Sequence, residues 1–336
     1  MGKIFFLSAF GSDDDAGIYT YTFNDSGKPE ETGFAVLRNS GYLALSPDRK
    51  TLYATCACDD SSDGVVAYRV AADGTLTNML GNIQPTGGKS SCHLCTSLDG
   101  RYLYVANYSS GSFTQFPIQS DGSVSERTCV VQHTGSGPFE QRQLSAHAHQ
   151  CCAVPDGKYI AVVDLGCDSI FCYPYSANGG ISRSGVIENK ITPAGSGPRH
   201  IVFDQSGKRA YLINELGNTL FTLKYSDGKF EITDRATTLP RGVECATKAA
   251  AVRLSKDEKY LIATNRGFDS VIRFDLKNPD KPQGVELQLV GGSSPRDAEY
   301  LCDGKYFAVN NEFSGSTRFF DCDPKTGSFT PNGYEL

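Results

Sequence analysis

The sequence predicts an all-β fold, a seven-bladed propeller of four-stranded antiparallel blades, on three observations. One motif recurs along the chain, its residues alternate with a period of two, and no stretch holds a helical period over three turns. The motif reads apolar strand, then Asp-Gly-Lys or a near relative, then a second apolar strand. Its copies span 43–56, 94–107, 152–164, 201–214, 252–265 and 299–311. Anchored on Asp48, Asp99, Asp156, Ser206, Asp257 and Asp303, the steps are 51, 57, 50, 51 and 46 residues. A period of this size marks one supersecondary unit repeated along a chain.

Taken in order, the chain opens with MGKIFFLSAF, which matches the second half of the motif: Gly2-Lys3 stands where Gly304-Lys305 stands. Each of the six full copies then supplies two strands rich in Val, Ile, Tyr and Phe around a tight turn. Stretches such as 169–175, 219–225 and 270–276 supply a third strand, and further strand-like segments complete units of about four, the size of a propeller blade. The C-terminal GSTRFFDCDPKTGSFTPNGYEL offers outer strands. With the N-terminal strand it predicts a seventh, composite blade that closes the ring and leaves no free edge. Seven blades account for residues 1–336 as one domain, where length alone gives about two.

Composition narrows the class. The net charge of −6 and the lack of a basic run argue against a nucleic-acid or membrane surface. No apolar segment is long enough to span a bilayer. IFFLSAF is followed by GSDDD and no small-residue cleavage site, so it reads as a blade strand and not a signal peptide. The twelve cysteines are scattered mostly within strands, which fits buried thiols in a reduced cytoplasmic protein. Cys92 and Cys95 have metal-like spacing, but on a regular strand residues three apart point to opposite faces. Cys56 with Cys58, and Cys151 with Cys152, read as buried packing. No metal or other cofactor is expected.

Because the six hairpins align without gaps, equivalent positions can be compared. Seven residues before the turn Asp (Ser206 in the fourth copy) lie Gly41, Cys92, His149, Arg199, Ala250 and Arg296. Nine residues after it lie Ala57, Tyr108, Leu165, Glu215, Arg266 and Glu312. An antiparallel hairpin centred on the turn makes these two positions cross-strand neighbours, so Arg199 is expected to face Glu215 and Arg296 to face Glu312. One residue earlier lie Asn107, Asp164, Asn214, Asn265 and Asn311, and His147 shares a strand face with His149. In a propeller these sets form rings around one mouth of the central channel. A single Arg–Glu pair there reads as a structural ion pair, and the Asn and Asp residues as turn bonds. The whole set of convergent ionisable groups instead predicts a site for a polar or anionic small molecule.

Five segments carry a family resemblance. SAHAHQCCAVPDGKYIAVVDLGCDSIFCY (145–173) resembles the His-x-His and Asp-Leu-Gly-x-Asp signature of the seven-bladed propeller lactonases. GSGPRHIVFDQSGKRAYLINEL (195–216), ATNRGFDSVIRF (263–274) and SSPRDAEYLCDGKYFAVNNE (293–312) resemble three further blades of that family, and CHLCTSLDGRYLYVANYSSGSF (92–113) fits through Ala-Asn-Tyr. The resemblance runs from about Gly41 to the C-terminus. It implies metal-independent chemistry on an anionic lactone, as in cytoplasmic 6-phosphogluconolactonases or, in the ring-closing direction, the fungal carboxymuconate lactonizing enzymes. The site proposed for the lactonizing branch falls by motif on His149, Arg199, Glu215 and Arg266. Two positions depart from the family pattern: Ala249-Ala250-Ala251 where an acidic residue is usual, and Thr55-Cys56-Ala57, poor in polar groups.

The resemblance implies lactone hydrolysis, most simply of 6-phosphogluconolactone, with His149 or Glu215 as general base. Arg199 and Arg266 would bind the substrate anion and polarise the carbonyl, and Arg296 would complete the clamp. Arginine suits the task because its planar fork grips oxyanions bidentately. Tyr108, His147, Asn214, Asn265 and Glu312 are expected to line the substrate. No Gly-x-Ser-x-Gly elbow occurs, so a covalent serine route has no sequence support. A mouth rich in arginine would repel the divalent ion of calcium-dependent lactonases. A carboxymuconate cyclase and a non-catalytic ligand-binding or scaffold propeller stay open as alternatives. The expected partner is a small anionic lactone, with neither nucleic acid nor membrane, on a monomer or weak homo-oligomer.

Overall fold

The repeated Asp-Gly-Lys turns are built by short local hydrogen bonds. Asp99 Oδ1 accepts from Ser97 Oγ at 2.6 Å and from the Arg101 N–H at 3.1 Å, while Gly100 takes φ +69°. Asp156 Oδ1 accepts the Lys158 N–H at 2.9 Å beside Gly157 at φ +70°. The aspartate closes an Asx turn and the next residue enters the left-handed region, which glycine does at no steric cost. Arg49 and Glu258 take that conformation in the first and fifth copies.

The computed structural model describes residues 4–336 and contains strands almost exclusively. They form seven antiparallel sheets, spanning 4–36, 43–85, 91–132, 148–190, 198–237, 248–289 and 295–335. Five have four strands in sequence order, and the sheet of 148–190 adds a short fifth. The expected third strands are present as Ser169–Ser176, Thr219–Ser226 and Ser270–Asp275. Among the described residues no helix is long and apolar enough to cross a membrane.

The chain ends depart from expectation. Residues 316–322 and 329–335 complete the sheet begun by Pro295–Leu301 and Tyr306–Asn311, and do not feed a composite blade. Ile4–Ala9 opens a three-stranded sheet of its own, in the position of a motif's second strand. The reason is local: a strand following a tight turn pairs with the hairpin already beside it. Residues 1–3, part of the N-terminal motif match, lie outside the described residues.

The chain divides into two compact units, one running to Lys190 and the other from Ile191 to Leu336. In the first, a core of Tyr104, Phe113, Ala148, Cys151, Ile160 and Tyr173 joins the sheets of 91–132 and 148–190. In the second, Tyr211, Ile213, Leu261 and Phe274 join the sheets of 198–237 and 248–289, and Val271, Phe307, Phe320 and Phe329 continue the core to the last sheet. Both units therefore bury the inward-facing residues of neighbouring sheets, as alternation requires.

Candidate active site

The first ring position lies at a β-bulge in five hairpins. In the sheet of 198–237, Pro198 pairs with Asn214 and His200 with Ile213, so Arg199 is the extra residue. Cys92, His149 and Arg296 are skipped in the same way in their own strands, and in the strand Lys248–Leu254 the irregularity covers Ala250 and Ala251. The expected cross-strand register is thus displaced at this position: the Glu215 N–H bonds Gly197 O, not a residue opposite Arg199. A bulge re-aims its side chain while the ladder continues on either side.

In the second unit the re-aimed Arg199 meets Glu215 diagonally. Its Nε donates to Glu215 Oε2 at 3.2 Å, and Nη1 donates to Ala250 O at 2.8 Å. Nη1 also lies 3.3 Å from His200 Nδ1. Arg266 Nη2 reaches the same Glu215 oxygen at 2.6 Å, and its Nε is buried with no hydrogen-bond partner. Arg199 and Glu215 are 2% and 1% exposed, so this is an interior cluster of two cations on one carboxylate. Burial first, then the like charges of Arg266 and Arg296, push the Arg199 pKa down to about 9. An incoming anion would relieve that excess of positive charge.

The apolar run Ala249-Ala250-Ala251, which departs from the family pattern, has a role here that its side chains do not show. Its backbone carbonyls receive the arginines, Ala250 O from Arg199 and Ala249 O from Arg266 at 3.4 Å. Arg296 and Glu312 pair at 3.0 Å with both side chains about two-fifths exposed, so theirs is a surface ion pair of small energetic weight. Asn214 and Asn265 are fully buried. The Asn214 amide donates to Thr219 Oγ1 at 3.2 Å and the Asn265 amide to Thr238 O at 2.8 Å, within the second unit's own turns and strands.

In the first unit, His147, His149 and Tyr108 form an aromatic cluster. Tyr108 stacks on His147 with centroids 4.5 Å apart and meets His149 edge-on at 5.4 Å. His147 Nδ1 lies 2.9 Å from Tyr108 O, so the neutral imidazole carries its proton there and leaves Nε2 as the acceptor. Cys92 Sγ lies 3.9 Å from His149 Nδ1. Asp164, fully buried, anchors the strand end: Oδ1 accepts the N–H groups of His147, Gly166 and Cys167, and Oδ2 lies 2.8 Å from His133 Nδ1. The alignment missed Arg142, whose Nη2 donates to Tyr108 Oη at 2.9 Å. It lies in a loop outside the repeat, where no equivalent positions exist to compare.

A cavity of about 260 Å³ in the first unit lies elsewhere, at the turn end of the hairpins, among Leu98, Asp99, Val154, Gly157 and Tyr175. Tyr175 Oη donates to both Asp99 oxygens there, and the mainly apolar lining does not suit an anion.

The comparisons with known proteins bear on the family and the fold. The family model "Lactonase, 7-bladed beta-propeller" matches residues 5–336. The 6-phosphogluconolactonase of Bacillus subtilis is 30% identical over 97% of this chain and 93% of its own. An uncharacterised Lactococcus lactis protein is 34% identical over 94% and 90%. The structure of a periplasmic gluconolactonase from Pseudomonas aeruginosa superposes with a TM-score of 0.89, at 28% identity over 99% of this chain and 94% of that one. With a match across nearly its whole length and sheets of the matching architecture, the chain belongs to the seven-bladed β-propeller lactonase family.

Proposed function

We propose that the protein hydrolyses an anionic sugar lactone, 6-phosphoglucono-1,5-lactone to 6-phosphogluconate, by general-base activation of water. The observation that carries this reading is the buried Arg199–Glu215–Arg266 cluster, which holds two guanidinium groups on one carboxylate. Hydrolysis of a lactone develops negative charge on the carbonyl oxygen, and donors fixed in advance at a buried site stabilise that charge without reorganising. Arg199 is fixed by Glu215 and Ala250 O, and Arg266 by Glu215 and Ala249 O. The unpartnered Arg266 Nε is a donor for the developing oxyanion. Glu215 already accepts from both arginines, so its part is to orient them. His149 is the candidate general base on one ground, that it occupies in its own hairpin the bulge position that Arg199 occupies in its hairpin. The B. subtilis relative, named for the same substrate, supports the phosphorylated sugar lactone.

The test is hydrolysis of freshly generated 6-phosphoglucono-1,5-lactone, coupled to phosphogluconate dehydrogenase, with chelator present. Arg199→Ala should lower kcat on the order of 10²- to 10³-fold, the cost of one oxyanion donor. His149→Ala should lower it on the order of 10²- to 10⁴-fold, the contribution of a positioned base. A wild-type rate no faster than spontaneous hydrolysis would overturn the reading.

A further inference from the structure

We propose that the open edge of the first sheet is a docking site for an extended peptide segment, which adds antiparallel to Ile4–Ala9 as a further β-strand. The segment it fits has apolar residues at alternate positions, a basic residue at its start and an acidic one at its end. All the residues concerned lie in the first compact unit, and none takes part in the hydrolase reading.

The other sheets show what stands on the equivalent edge. In each of them the second strand of the hairpin pairs on one side with a first strand and on the other with a third. Ile4–Ala9 stands in the second-strand position and pairs along one side with Gly17–Phe23. Among the described residues no strand pairs along its other side. Burial records the difference. Thr51–Ala57 is buried at every position, and Tyr102–Asn107 and Tyr159–Asp164 at every position but the first. In Ile4–Ala9 only Phe5 is buried, and the rest of the strand is half-buried. In an antiparallel ladder alternate residues turn both backbone groups to the same neighbour. A strand with one neighbour therefore leaves alternate N–H and C=O groups along its open edge.

Sheet edges are ordinarily blunted by charge, proline or a bulge. The outer strand of the same sheet, Pro29–Val36, has all three: Pro29, Glu30 with Glu31, and a register shift opposite Thr20 and Tyr21. Ile4–Ala9 reads IFFLSA, pairs in unbroken register and has none of them. Beside it, Phe6, Leu43 and Leu45 are half-buried around the core of Ile18, Leu52 and Ala54. Leu94, which the next hairpin places where Leu43 stands, is 1% exposed. A small recess among Ile4, Phe6, Leu45, Arg49 and Val70 is ready to take a side chain. Backbone bonds along such an edge give an added strand its affinity, and recesses for alternate side chains give it specificity. Charge sets the direction. An antiparallel segment begins opposite Ala9, where the chain turns through exposed Asp13, Asp14 and Asp15, and ends opposite Ile4, beside exposed Arg49. A basic start and an acidic end match both.

The test uses the intact protein and a synthetic peptide with the sequence of residues 197–204, GPRHIVFD, a first strand from this chain's own repeat. Fluorescence anisotropy of the labelled peptide gives its Kd, and amide hydrogen exchange across residues 4–9 gives its place. At a peptide concentration ten times Kd, exchange there should slow about tenfold. The same peptide with its arginine and aspartate exchanged should bind more weakly. A peptide with two adjacent central amides N-methylated, one of which must face the edge, should not protect it. Leu45→Lys, which puts a charge in the recess, should weaken binding while exchange in the other sheets stays as in wild type. No binding, binding without protection at 4–9, or protection that the N-methylated peptide reproduces would overturn the inference. Protection in the protein alone that rises with its own concentration would assign the edge to a second copy of this chain and overturn it too.

Discussion

Asp164 shows how far one buried carboxylate reaches. One oxygen collects three backbone N–H groups and the other faces His133, whose Nε2 lies 3.0 Å from Tyr173 Oη. Burial alone would raise its pKa, but the His133 contact and the backbone donors outweigh it and hold the carboxyl below its usual range. A carboxylate depressed in the fold contributes stability that is fully present above its unfolded value of about 4 and is lost as pH falls through the lower folded value. Asp164→Asn should therefore be less stable than wild type at neutral pH, with the gap narrowing as urea unfolding is repeated towards pH 3. A gap of constant size would show that the charge plays no part. Half of this arrangement was legible in the sequence, where the position before the second ring reads as a turn bond and does bond Gly166 and Cys167. The contact with His133 was not, because that residue begins a loop with no place in the repeat.

At the scale of elements, the six hairpins were readable because each repeats its turn chemistry, an aspartate (a serine in the fourth copy) followed by a residue able to take positive φ. The bulges were not. Alternation specifies which face a residue takes while the register holds, and a single extra residue resets it without any residue type that announces the change. The pairs Arg199–Glu215 and Arg296–Glu312 were therefore found, although the geometry joining them is diagonal. The strand end that carries His147 is equally close-fitting. A Cβ at Gly166 would run into Ser145 O and the His147 nitrogen, backbone atoms that cannot swing aside. Gly166→Ala should cost about 1–3 kcal/mol, the usual penalty for forcing atoms into a packed site. Denaturant midpoints check the cost. Turnover should fall further than stability does, since His147 is displaced.

For the molecule as a whole, composition points to buried thiols, and four of the twelve, Cys56, Cys151, Cys167 and Cys172, are buried. The twelve cysteines are all free, and only Cys245 is exposed. Burial pushes the thiols of Cys56 and Cys152 up to about 12, which leaves almost no thiolate to react near neutral pH. One thiol should therefore react rapidly with a disulfide reagent in the native protein, and twelve after denaturation. Cys245→Ser should remove the rapid phase; a fast phase of several thiols would contradict this burial. The repeat length and sheet count were legible from one end of the chain to the other. The pairing of the terminal strands was not, since the motif matches of the two ends say which strands they resemble and not which sheet they join.

The bulges have a consequence for how such a protein can change. The side chain at each bulge stands outside the regular ladder, so the ladder constrains its identity little. Cysteine, histidine and two arginines already occupy equivalent bulges here, on hairpins that otherwise share one plan. Each bulge is a socket that accepts a new plug without rewiring the sheet beneath it. A lineage built on this repeat can exchange its chemistry one socket at a time while the scaffold stays as it was.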